Sequence, residues 1–186
     1  DETMCVIADD SGAVGIGGII GGEPTGCSDG TVNVFVECAW FEPESIAATG
    51  RKLGINSDAR YRFERTVDPE SVTPGIELAT KLITELCGGI AHEVVVAGEV
   101  RAPGTVVDFP LSEVKRLTGL DASAADIAAA LERLGFTVGG TGERRQVAVP
   151  SWRPDVTMKA DLAEEAMRMI GVDKVPVEPL ERLHHV

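Results

Sequence analysis

The sequence predicts an α+β fold laid out in two successive parts. Three observations carry this. The first forty residues alternate short aliphatic runs with glycine and aspartate turns, the pattern of strands. Apolar residues recur at helical spacing over 74–87 and again near the C-terminus. Between the two halves, Arg101-Ala102-Pro103-Gly104 interrupts both patterns. It divides the chain into residues 1–104, residues 105–177 and a tail or linker over 178–186.

In the first part, Met4-Cys5-Val6-Ile7-Ala8 reads as a strand closed by the turn cluster Asp9-Asp10-Ser11-Gly12. Gly15-Ile16-Gly17-Gly18-Ile19-Ile20-Gly21-Gly22 then packs glycines around aliphatics. From Thr31 to Phe41 the residues alternate, with Val32, Val34, Val36, Cys38 and Trp40 on one face and Asn33, Phe35 and Glu37 on the other. This predicts a strand. A helix should open at Pro43, where proline suits the first turn, and stop at Gly54. The clearest helix is 74–87: Thr73 caps it, Pro74 opens it, and Ile76, Leu78, Ala79, Leu82, Ile83 and Leu86 share a face. Gly88-Gly89 ends it, and a valine-rich extended segment runs from Ile90 to Val100.

In the second part, Thr105–Phe109 predicts a strand and Leu111–Thr118 a short helix ending at Gly119. Ser123-Ala124-Ala125-Asp126 has the form of a capping box, opening a helix that reaches Leu134 and stops at Gly135. Strands over 136–138 and 146–149 are joined by the glycine-rich turn 139–142, and a last helix covers about Ala160–Ile170.

Hydrophobic residues make up 44% of the 186 residues and aromatics only 4%, so the core must be built from Val, Ile, Leu and Ala. The net charge of −13 repels phosphate backbones and argues against a free-standing nucleic-acid binder. The charge is uneven, with seven basic against seventeen acidic residues over 1–104 and ten against thirteen over 105–186. No apolar run is long enough to span a membrane, and no segment reads as a signal peptide. Cys5, Cys27, Cys38 and Cys87 contain no C-x-x-C pair, which suits a reducing cytosol and a cytoplasmic protein. The start at Asp1, directly before a strand, reads as a piece of something longer.

The glycine-rich stretch lacks the Gly-Lys-Ser/Thr of a phosphate loop, and Ile20 stands where a dinucleotide fingerprint needs its third glycine. It is either a set of tight turns or bare backbone open to a small ligand. Glu37, in an apolar strand, either faces outward or needs a partner. Residues 58–69 hold three arginines, two aromatics and three acids, which serve either a salt-bridged surface or a patch for a nucleic-acid end. Asp161, Glu164 and Glu165 fall within one arc of a helix, and Asp155 lies close enough upstream to reach its N-terminus. Four such oxygens suit Mg²⁺ or an ordinary solvated face, with Arg168 pairing Glu164. His92, His184 and His185 stand in no catalytic order.

Five stretches together are similar to the β chain of bacterial phenylalanyl-tRNA synthetases: Gly18-Ile19-Ile20-Gly21-Gly22-Glu23; Val36-Glu37-Cys38-Ala39-Trp40-Phe41; Asp58 to Arg65 with Val67-Asp68-Pro69; Val149 to Asp155; and Asp161 to Glu165. They span nearly the whole chain in the family's order. The resemblance implies an incomplete B3/B4-type editing module over 1–104 and a small winged-helix-like B5 domain over 105–177. It also implies an ATP-dependent ligase that charges tRNA-Phe as an α2β2 assembly. ATP would be used by the holoenzyme rather than bound here, and no residue of this chain would be catalytic. By motif position, Glu37 matches the pocket acid that reads the hydroxyl of misattached tyrosine. Gly21, Ser57 and Ala59 match pocket-lining positions, with Ser57 standing where the family commonly has threonine.

A site built to hydrogen-bond that hydroxyl rejects phenylalanine because Glu37 would be left buried and unpaired. The family's pocket histidine falls upstream of Asp1, so this stretch alone is expected not to hydrolyse mischarged tRNA. Asp155, Asp161, Glu164 and Glu165 match acids that bind Mg²⁺ shared with the α subunit. Two other readings remain: a stand-alone amino-acid or partner-binding module with the same folds, and a free-standing hydrolase of mischarged tRNA. The missing histidine and the negative first half count against the hydrolase.

Overall fold

The computed structural model describes residues 1–99, 104–177 and 179. The linker positions Arg101 to Pro103, most of the 178–186 tail, and His184-His185 lie outside the described residues. The chain divides into two compact units, Asp1–Ala102 and Pro103–Val186.

The first unit opens with β1 (Val6–Asp9), β2 (Gly12–Ile16) and β3 (Ile20–Gly21), an antiparallel sheet in sequential order. The β1–β2 register shifts between Ile7 and Ala8, a bulge just before the Asp9–Gly12 turn. Helix α1 covers Pro43–Leu53 and ends on Gly54 in the left-handed conformation at φ 65°, as proline-first and glycine-last punctuation predicts. Helix α2 covers Asp58–Phe63 and is capped by Ser57, whose hydroxyl accepts from the Arg60 amide. Helix α3 covers Val72–Cys87 and starts two residues before the predicted position. A single turn at Pro69–Ser71, capped by Asp68, runs directly into it. Pro74 therefore sits third in the helix, still within the first turn where amides lack intrahelical acceptors, and Thr73 is inside rather than capping.

The strand predicted over Thr31–Phe41 does not form. Alternation is present, but Val32, Val34 and Phe35 are exposed and no ladder pairs the run among the described residues. A strand requires a hydrogen-bonded neighbour as well as the pattern. Its end is nonetheless anchored: Phe41 meets Phe63 edge-on with ring centroids 5.0 Å apart. A Cβ at Gly17 or Gly18 would collide with Phe41 at 2.8 and 2.9 Å, so glycine here permits close packing. Among the described residues of this unit, Ile19 and Ile46 are nearly fully buried and Pro69 is buried beside the start of α3, a thin core.

The second unit forms β4 (Val106–Pro110), α4 (Ser112–Thr118), α5 (Ala124–Arg133), β5 (Thr137–Gly139), β6 (Arg144–Ala148) and α6 (Lys159–Ile170). All six elements fall where the sequence places them, within two or three residues at their ends. Strand β6 lies between β4 and β5, antiparallel to both. Phe109, Leu131, Val147, Leu162, Ala163 and Ala166 are fully shielded and form the centre of one core, closed by Val114 and Val156. Glu113 on α4 is held by Arg116 (3.0 and 2.7 Å) and by Lys159 (3.3 Å), tying α4 to the start of α6. The Arg116 hydrogen bonds lead in holding its carboxyl down to about 2. Both units mix helices with small sheets, the α+β class.

Candidate functional site

The residues that the sequence singles out for chemistry fall into two groups, one in each unit. In the first, Gly21 ends the short strand β3 and is exposed, with nothing within 4 Å of where a Cβ would stand. Ser57 is half-buried and donates to the Ile19 carbonyl at 2.6 Å while capping α2. That bond ties the N-terminus of α2 to the turn leading into β3. Ala59, half-buried, lies one half-turn further along α2. Glu37 lies on the unpaired 31–41 run, whose Cys38 would touch a Cβ on Gly75 of α3 at 2.8 Å.

Glu37 is exposed, and no hydrogen bond or ion pair to it occurs among the described residues. The burial expected of a hydroxyl-reading acid is therefore absent in this chain, because the run that carries Glu37 has no strand against it. Trp40, on the same run, has a buried indole Nε1 without a partner among the described residues.

The arginine-rich segment 58–69 is a salt-bridged structure. Arg60 bonds Glu64 (3.0 Å), the Ile55 carbonyl (2.7 Å) and Asn56 (3.0 Å), and Arg65 bonds Glu64 (2.8 Å) while lying 3.9 Å over the Tyr61 ring. Burial pushes the Glu64 carboxyl up, but the bonds and charges of Arg60 and Arg65 outweigh it and leave it below the usual range.

In the second unit the four acids take three different positions. Asp161, third in α6, turns back on the helix start: its Oδ2 accepts from the amides of Thr157 (2.8 Å) and Met158 (3.0 Å). Asp155, expected at that helix end, is instead gripped by both nitrogens of the Arg153 fork, Nε at 2.8 Å and Nη2 at 2.7 Å. The same Nη2 donates to Glu165 at 2.9 Å. Glu164 is exposed, with Arg168 at 4.0 Å, and Arg168 also stands 3.7 Å from Glu165. The hydrogen bonds to Asp155, then to Glu165, raise the Arg153 guanidinium above its ordinary value, and the Arg153 bond holds Asp155 below its own.

The donor chemistry of these acids, all carboxylate oxygen, suits a hard cation. Their placement here does not: among the described residues no three His, Cys, Asp or Glu side chains gather closely enough to hold one. Arg153 is the residue that spacing overlooked. It stands two positions before Asp155, and the turn that carries it is closed by Arg153 N to Pro150 O (3.0 Å) and Val156 N to Arg153 O (3.2 Å). An Arg-x-Asp pair beside a turn proline was the available signal.

Comparison with known proteins places both units. The B3/4 domain family matches residues 1–88, and the tRNA synthetase B5 domain family matches residues 107–172. The chain is 53% identical over 182 residues to the phenylalanine--tRNA ligase beta subunit of Nitrobacter winogradskyi, covering 98% of this chain and 22% of that protein. It is 55% identical to the same subunit of Rhodopseudomonas palustris over 98% of this chain and 23% of that one. For the Brucella abortus subunit the figures are 54% identity, 95% and 22%. The chain thus spans less than a quarter of the length of these relatives. No helix among the described residues is long and apolar enough to cross a membrane.

Proposed function

We propose, from a chain that belongs to the phenylalanine--tRNA ligase beta-subunit family by its B3/4 and B5 domains, that it contributes part of an editing pocket and an acidic helix to an ATP-dependent ligase charging tRNA-Phe. The observation that carries this is the co-occurrence of both domains in one order, at 53% identity over 98% of the chain. The pocket residues are Gly21, Glu37, Ser57 and Ala59. The open space beside Gly21 and the Ser57 bond to Ile19 support that grouping, since they leave room for an aromatic ring against a fixed backbone edge. Glu37 supplies the acceptor for a tyrosine hydroxyl once its run is covered and desolvated, because an acid in water discriminates little.

On the second unit, Asp155, Asp161, Glu164 and Glu165 are the oxygen donors that would hold Mg²⁺ shared with an α subunit, although as they stand among the described residues they are not gathered closely enough to do so. The protein works as an α2β2 assembly in the cytoplasm. The test is Glu37→Ala in a full-length beta subunit assembled with its α partner, assayed for release of tyrosine from mischarged tRNA-Phe. Deacylation should fall while phenylalanine charging is kept. Deacylation at the parent rate removes Glu37 from the pocket.

A further inference from the structure

We infer that Arg60 is a positioning residue for the pocket: from the side of α1 it fixes the bend Ile55-Asn56-Ser57 and so sets where the Ser57 hydroxyl and the first turn of α2 stand. This rests on the pocket reading above and adds a residue which that reading does not contain.

Ser57 is held from two directions. Its hydroxyl donates to the Ile19 carbonyl at 2.6 Å and accepts from the Arg60 amide at 3.0 Å, so its proton and one lone pair are both engaged by the chain itself. The backbone leading to it is not helical: it runs from Gly54, left-handed at φ 65°, through Ile55 and Asn56. The Arg60 side chain folds back along this connection. Its Nη1 donates to the Ile55 carbonyl at 2.7 Å and to Asn56 Oδ1 at 3.0 Å, and its Nε donates to Glu64 at 3.0 Å. The Ile55 amide in turn donates to the Gly50 carbonyl of α1 at 3.2 Å. Gly50 makes this possible, because a Cβ there would take the place of the guanidinium. One planar group with divergent donors thus joins the end of α1, the connection and the body of α2. Shelter gives these bonds weight: the side chains of Arg60 and Glu64 are 14% and 19% exposed, whereas the neighbouring Arg62–Asp58 pair lies open on the surface. Glu64 balances the Arg60 charge at contact distance, so Arg60 acts on the pocket through backbone geometry rather than through its field. Ser57 caps α2 and Ala59 lies in its first turn, so displacing that turn moves two of the four pocket positions together.

The test uses full-length beta subunit assembled with α and carrying Arg60→Ala. It is assayed for release of tyrosine from mischarged tRNA-Phe, with phenylalanine charging as the measure of intact assembly. The kcat of release should fall about ten- to hundredfold, the cost of displacing a positioned group by about 1 Å, while charging is kept. Arg60→Lys keeps the charge without the planar fork and should lie between. It also keeps the test intact if the alanine variant fails to assemble. Gly50→Ala in the Arg60→Ala background separates positioning from stability. Its methyl refills the vacated notch and should restore hydrogen-exchange protection of α1 and α2 without restoring tyrosine release. Release at the parent rate in Arg60→Ala and Arg60→Lys overturns the inference, as does release that returns together with protection in the double variant. The pocket reading fails on a different variant: Glu37→Ala at the parent rate removes that reading and the inference with it. Glu37→Ala impaired beside Arg60→Ala at the parent rate removes the inference alone.

Discussion

Gly50 offers a substitution whose sign should reverse with its neighbour. It lies buried near the end of α1, where alanine is normally the better residue by about 1 kcal/mol. A Cβ there would stand 2.7 Å from the guanidinium carbon of Arg60, with Nε and Cδ closer still. Arg60 cannot simply swing aside, because it is tied to the Ile55 carbonyl, Asn56 and Glu64. Releasing the charge-assisted bond to Ile55 alone costs about 1.5–3 kcal/mol. Against the helix gain, Gly50→Ala should therefore destabilise the first unit by about 0.5–2 kcal/mol. The orphaned Glu64 adds to this in the same direction. In an Arg60→Ala background the obstruction is gone, and Gly50→Ala should instead stabilise by about 1 kcal/mol. Urea unfolding followed through Trp40 fluorescence, with Trp152 replaced by phenylalanine, completes the four-variant cycle. Gly50→Ala that is neutral or stabilising while Arg60 is present would refute the reasoning.

Three further outcomes follow from the same geometry. Thr66 sits at φ 70°, a conformation costing a β-branched residue roughly 1–2 kcal/mol, part of which glycine gives back as unfolded-state freedom. Thr66→Gly should thus raise first-unit stability by about 0.5–1 kcal/mol in the same urea assay. Leu162 is fully buried, and Leu162→Ala should cost the second unit about 2–5 kcal/mol and leave hydrogen exchange in α1 and α2 unaltered. Glu113 is lowered from 4.5 to about 2, so its contribution is complete above the upper value and lost as pH falls towards the lower one. Glu113→Gln should therefore flatten the acid side of the second unit's melting profile between those two pH values, and an unchanged slope would show that the α4–α6 tie is dispensable.

The legibility of the sequence varied with how local the determinant was. Helix α5 was readable because Ser123, Asp126 and Gly135 each act within one turn of their own position. The start of α3 was missed by two residues because the preceding turn at Pro69–Ser71 flows into it, a continuity that spacing does not encode. The 31–41 run carried a correct polarity pattern and still formed no strand, since pairing depends on a partner elsewhere. Among the acids, spacing placed Asp161, Glu164 and Glu165 on one arc but could not rank their uses. The third helical position serves a cap as well as a ligand, and Asp161 caps. Arg153 was hidden because its reach across twelve positions to Glu165 is set by the turn before α6. On the first unit, the Ser57–Ile19 bond that ties the start of α2 to the turn before β3 is likewise a tertiary fact.

The bare 31–36 run also governs how this chain behaves at high concentration. Thr31-Val32-Asn33-Val34-Phe35-Val36 holds no charge and no proline, with Val32 and Phe35 almost fully open to water. Such a hexamer is a nucleus for intermolecular cross-β stacking. Glu37 directly after it, and Glu42 and Glu44 beyond, act as charged gatekeepers against that stacking. The remaining protection is colloidal: molecules carrying −13 charges keep one another apart. That repulsion vanishes near the isoelectric point of about 4.6, so acidification should make the chain precipitate through this segment before either unit unfolds.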